Sequence, residues 1–205
     1  MASLTPAAAV QRALTNVGRS MGDRRCPTSD IQDAIDDEYR TLRRRLSAEF
    51  PTIYEKTSTT VTLAGSTTSF AKPTDCETIR VLEKQAGDRW SSLPVVTSLN
   101  RDEVNCLAFY EAGANVVIVP PASAPGTYRM FYIAEPAATV STYDVPDGIE
   151  RMLVEMGSAF IRQRHNEDPT YHIQRAEKIW EDAFMGLWRR YGSHGQSGLQ
   201  ITRVW

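Results

Sequence analysis

Apolar residues keep a helical spacing at both ends of this chain and lose it in the middle, and that alternation limits the fold more than any other feature. Residues 5–21, "TPAAAVQRALTNVGRSM", set Val10, Leu14, Val17 and Met21 on one stripe. Thr5 suits a cap, Pro6 suits the first turn, and Gly22 is the expected stop. A second helix is expected from about Ser29 to Ala48, opened by a capping-box pattern of Ser29 and Gln32. Ile31, Ile35, Tyr39, Leu42 and Leu46 make its buried stripe.

After Phe50-Pro51 the period shortens. "YEKTSTTVTLAGSTTSFAKP" alternates small polar and apolar residues around Ala64-Gly65-Ser66 and reads as a hairpin. "ETIRVLEK" and "SSLPVV" read as strands joined by a turn at "QAGDRW". Asn100 is placed to cap a short helix, "RDEVNCLAFYEA", and "NVVIVPP" and "TYRMFYIAEP" follow as strands. Helical spacing returns at Asp147, with Ile149, Leu153, Met156 and Phe160 on one face. Beyond the polar break "RQRHNEDPT", the residues Ile173, Ala176, Trp180, Phe184, Leu187 and Tyr191 share another. The two helix pairs bury their stripes best against each other. The expected class is therefore α+β. A helical bundle forms from residues 1–52 and 146–191, a β-rich domain is inserted at 53–145, and an extended C-terminal arm covers 192–205.

The stretch "DDEYRTLRRRL" at 36–46 puts acids before arginines. That order suits the helix dipole, and Asp36 and Arg40 stand four apart, so a solvated, self-paired helix face explains it. Acidic residues outnumber Lys and Arg by 25 to 23, a balance that argues against a protein devoted to gripping phosphate. Cys26, Cys76 and Cys106 fit neither a disulfide framework nor a CxxC metal site. His165 and His172 read as surface residues at a helix–helix corner, and His194 lies in a glycine-rich stem. Gly65, Gly87 and Gly113 fit turns, and no phosphate-binding or dinucleotide pattern contains them. No catalytic residue, cofactor site or metal site is expected. No leader segment opens the chain and no apolar run nears ~20 residues, so no membrane span is expected.

The tail is unusual for a solvated end. Leu199, Ile201, Arg203 and Trp205 fall on one side of an extended chain, after a stem containing Gly192, Gly195 and Gly198. Such a segment docks on a partner or folds back on its own chain.

Taken in order, these segments resemble the head-to-tail adaptor (connector) proteins of tailed bacteriophages. The likeness is carried by "SDIQDAIDDEYRTLRRRL", the strand region from "TTVTLAGSTTSFAKPTDCETIRVLE" to "GDRWSSLPVV", the helices of "VPDGIERMLVEMGSAFIRQRHNEDPTYHIQRAEKIWEDAFMGLWRRY", and the tail. The resemblance implies a structural virion protein, not an enzyme. It implies a ring, usually of 12 copies, between the portal protein and the tail nozzle or tube proteins. Genomic DNA would pass through the central channel without sequence-specific binding. Synthesis in the host cytoplasm and residence in the virion neck follow from the same likeness. Leu199, Ile201, Arg203 and Trp205 would then bind the portal or another partner, and Asp30, Asp33 and Asp37 would line the channel. Three other readings stand beside it: a DNA-binding module using Arg43, Arg44, Arg45, Arg189 and Arg190, a tail-tube or other head-completion component, and a small enzyme with a pocket in the β region.

Overall fold

The computed structural model describes residues 2–100, 106–137 and 140–191. Among the described residues there are four α-helices and ten strands, and the class is α+β. N-terminal helices come first, antiparallel sheets occupy the middle, and C-terminal helices pack with the N-terminal ones. The chain divides into two compact units, Met1–Thr52 with Pro136–Trp205, and Ile53–Glu135.

In the first unit, helix α1 covers Pro6–Asn16, and the Thr5 side chain accepts from the Ala8 amide as expected. It stops earlier than the stripe suggests. Gly18 adopts φ 67°. The Gly18 amide then bonds the Thr15 carbonyl at 3.1 Å and the Arg19 amide the Leu14 carbonyl at 2.9 Å. This double bond pattern closes a helix end around a left-handed residue. Gly22 is therefore not the stop, Val17 is the C-cap, and Met21 stands 60% exposed. Helix α2 covers Thr28–Glu49. Pro27 occupies its N-cap without a side-chain bond, so the expected capping box of Ser29 and Gln32 does not form. Its stripe is as expected, since Ile31, Ile35, Tyr39, Leu42 and Leu46 are all buried.

Helix α3 (Glu150–Arg164) contacts α1, α2 and the last helix, α4 (Thr170–Tyr191). Contact on several sides explains why its buried surface is wider than one stripe. Ile149 and Leu153 are fully buried, Met156 and Phe160 only half so, and Val154, Gly157, Ser158 and Ile161 join the interior. Gly157 lies where the helices cross closely: a Cβ there would sit 2.7 Å from Ile35 Cδ1 and 3.2 Å from Ala13 Cβ. On α4, Ala176, Trp180 and Leu187 are buried, whereas Ile173 and Tyr191 face outward at 38% and 44% exposure. Strands β1 (Ala2–Leu4) and β10 (Tyr143–Val145) pair antiparallel in this unit, Ala2 opposite Val145.

Among its described residues the second unit holds eight strands, β2 (Glu55–Thr57), β3 (Val61–Leu63), β4 (Ser69–Ala71), β5 (Cys76–Ala86), β6 (Arg89–Leu93), β7 (Ala108–Ala112), β8 (Asn115–Val119) and β9 (Gly126–Ala134). One sheet has the order β2-β9-β5-β6, with β3 also on β9, and the other is β4-β8-β7. All these pairings are antiparallel. Gly87 and Gly113, at φ 63° and 59°, supply the two-residue turns β5–β6 and β7–β8.

Two expectations fail in this unit. The segment around Gly65 turns but makes no hairpin, because β3 pairs with β9 and β4 with β8, in different sheets. A hairpin and a corner between sheets share one alternation, so the local period cannot separate them. The expected helix after Asn100 is a strand over Ala108–Ala112, with residues 101–105 outside the described ones. Phe109 faces the interior, and its amide and carbonyl bond Pro94 and Val96. One core draws on both sheets, including Leu63, Leu82, Phe109, Ile118, Tyr128 and Met130.

Candidate functional site

The charged stretch of α2 resolves into inward and outward groups. Asp33 and Asp37, one turn apart, are exposed, and Arg40 pairs with Asp37 at 3.0 Å. Asp30 is half-buried and lies 3.7 Å from Arg164 on α3. Asp36 turns inward and accepts the Tyr143 hydroxyl proton at 2.5 Å. Burial, and then that hydrogen bond, push the Tyr143 phenol far above its ordinary range. Glu38 is also pushed up, by burial first and by the Asp37 carboxylate second. The three candidate channel residues thus share one helix, but only Asp33 and Asp37 share full exposure.

The five arginines of the DNA-binding reading differ in exposure: Arg43 is buried, whereas Arg44, Arg45, Arg189 and Arg190 are exposed. Arg43 is 8% exposed, donates to the Tyr39 hydroxyl at 3.2 Å and approaches Asp144 at 3.6 Å. Arg45 covers the Trp180 ring at 4.2 Å from its centroid. Arg189 and Arg190 are exposed in the last turn of α4, where cations suit the helix end. The aromatic residues of α4 pack together: Phe184 stacks on Trp188 at 6.3 Å, and Phe50 of the α2 C-cap meets Phe184 at 5.3 Å.

His165 and His172 are not surface residues, and His194 lies outside the described residues. His172 is 5% exposed and its Nδ1 lies 2.7 Å from Glu155 Oε2 across the α3–α4 interface. Arg175 Nε reaches Glu155 Oε1 at 3.2 Å. The His165 side chain is 4% exposed, with Nε2 2.9 Å from Asp23. Asp23 is held below the usual carboxylate range mainly by the Arg25 backbone amide. This buried pairing has no local signature, because Glu155 and His172 sit on different helices whose contact the spacing does not encode. Among the described residues, no three His, Cys, Asp or Glu gather closely enough to hold a metal ion.

The β unit has a cavity of about 350 Å³, lined in part by Thr57, Ser58, Val61, Phe70, Lys72 and Tyr132. Lys72 is engaged by Glu111 at 2.8 Å, and the Tyr132 hydroxyl donates to Asp75 at 3.0 Å. The lining thus offers hydroxyl groups and apolar walls, with its ammonium and phenol already bonded. Leu199, Ile201, Arg203 and Trp205, the proposed partner-binding residues, lie outside the described residues. No described helix is long and apolar enough to cross a membrane.

A family model described as SU10 adaptor protein matches residues 8–201, which takes in both units. No curated protein matches the chain. The chain belongs to the SU10 adaptor protein family, a structural family of phage head-to-tail adaptors.

Proposed function

We propose that this SU10-family adaptor forms a ring in the virion neck, joining the portal protein to tail nozzle or tube proteins around a channel for DNA. The match over residues 8–201 carries this reading. About 12 copies would close the ring, by analogy with the adaptors the sequence resembles. Residues 192–205 serve as the attachment arm, with Leu199, Ile201 and Trp205 as apolar anchors and Arg203 reaching an acidic group or water. Burying one large apolar side chain contributes ~1.5–3 kcal/mol, so three such anchors can hold an arm despite the loss of chain entropy. Repetition around a ring strengthens each contact through effective concentration.

Asp33 and Asp37, with Asp30 beside them, are assigned to the channel wall. Their exposure on one helix supports that assignment, and an acidic wall lets a polyanion slide without sticking. The burial of Arg43 and the excess of acidic over basic residues weigh against a dedicated DNA-binding surface.

The test is co-sedimentation with assembled portal, followed by electron microscopy of the pellet. Full-length chain should add a ring of density to the portal, and a chain truncated after Gly195 should remain in the supernatant as a folded protein. Equal binding by the truncated chain would remove the arm from the attachment. No binding by either chain would overturn the placement in the neck.

A further inference from the structure

In the helical unit, residues of α1, α3 and α4 line an open surface pocket of about 300 Å³, among them Arg12, Asn16, Arg151, Val154, Glu155, Arg175 and Ile179. Three guanidinium groups face one carboxylate there. That carboxylate is already engaged, with His172 on one oxygen at 2.7 Å and Arg175 on the other at 3.2 Å. Arg12 and Arg151 form no ion pair with any described residue. Arg151 also stands in the first turn of α3, the helix end where a cation is disfavoured by the dipole. Both Arg12 and Arg151 are exposed, so their guanidinium groups are open to a group arriving from outside.

We infer that this pocket is a receptor for a carboxylate side chain, an aspartate or glutamate presented by a partner protein chain. Guanidinium groups bind carboxylates through paired N–H donors in one plane, and two unpaired ones at a single mouth supply that geometry twice. Asn16 adds a neutral amide. Val154 and Ile179 give the pocket apolar walls that suit the methylene stem of an acidic side chain better than a hydrated phosphate. The buried Glu155 does not compete with the incoming group, because its oxygens point at His172 and Arg175. Instead it fixes Arg175 at the pocket wall. A protein carboxylate is favoured over nucleic acid because the chain carries 25 acidic against 23 basic residues, without the basic excess of a phosphate-gripping protein.

The inference rests on the adaptor reading only in naming a protein neighbour as the source, and its test does not use the portal. The full chain is titrated with a blocked hexaglutamate peptide while the arginine Nε–H signals are followed by NMR. Inorganic phosphate and a short DNA duplex serve as comparison probes. The peptide should shift the signals of Arg12 and Arg151, and the double variant Arg12→Gln/Arg151→Gln should weaken its binding by about tenfold or more, as expected for lost charge-assisted bonds. Arg189→Gln/Arg190→Gln should leave binding unchanged, and an unaltered thermal melt of the first variant would show that its fold is intact. Equal binding by both variants, no binding at millimolar peptide, or a stronger response to phosphate or DNA at Arg12 and Arg151 would overturn the assignment. The two readings fail separately. Loss of peptide binding with normal portal attachment removes the pocket alone, and peptide binding without portal attachment removes the neck placement alone.

Discussion

The helical unit and the β unit are held together by different means. The helical unit joins segments from the two ends of the chain, and its interior combines the apolar stripes of four helices with a buried carboxylate–imidazole contact. The β unit is one continuous segment, and its interior is apolar apart from tyrosines whose hydroxyls are satisfied, Tyr128 on the Ala124 carbonyl at 2.6 Å and Tyr132 on Asp75. Its ion pairs lie towards the surface, as between Lys56 and Asp75 at 2.7 Å or Arg129 and Glu83 at 2.6 Å. The comparison teaches that a discontinuous unit depends on every contact that closes the long loop between its halves, whereas a continuous one closes shorter loops. Damage of equal chemistry should therefore be felt more in the helices than in the strands.

The strongest test of that contrast is Leu153→Asp. Leu153 is fully buried in α3, and an unpaired carboxylate there should cost more than about 4 kcal/mol. Hydrogen exchange should show α1 to α4 losing protection while β5 and β9 keep theirs. Loss of protection in both units together would show that they fold as one cooperative body. Next comes Gly157→Val, which puts a branched side chain into the 2.7 Å approach of Ile35 and should destabilise the helical unit by about 1–3 kcal/mol in a denaturant titration. A variant as stable as the parent would mean that α2 can shift away without loss.

The smallest effect is expected in the β unit. The Lys56 ammonium, and then the Tyr132 hydroxyl, hold Asp75 below the usual carboxylate range. Its folded pKa is lower than its unfolded one. The stabilisation is thus complete above about pH 4 and is lost as pH falls through the folded value. Asp75→Asn should flatten that acid limb and cost less than about 1 kcal/mol near neutrality, because the pair is partly exposed. Melts of the variant and the parent between neutral pH and pH 2 give the comparison. An unchanged acid limb would assign the acid sensitivity to other carboxylates.

The sequence by itself determined the class, the four helices, the turns at Gly87 and Gly113, and the buried stripe of α2. Each of these follows from local spacing, a cap or a glycine conformation, which neighbouring residues specify on their own. It also carried the texture of a phage adaptor from the first helix to the last. Tertiary structure decided the partners. The local alternation around Gly65 was the same for a hairpin as for the crossing between sheets that the fold adopts. The charge run on α2 could not show that Asp36 would turn to Tyr143 or that Arg43 would be buried. Nor could single-helix spacing place Arg12 beside Arg151 and Arg175 at one cavity, because α1 meets α3 only through contacts between the two ends of the chain. Periodicity tells each element which face to bury, and only packing decides against what.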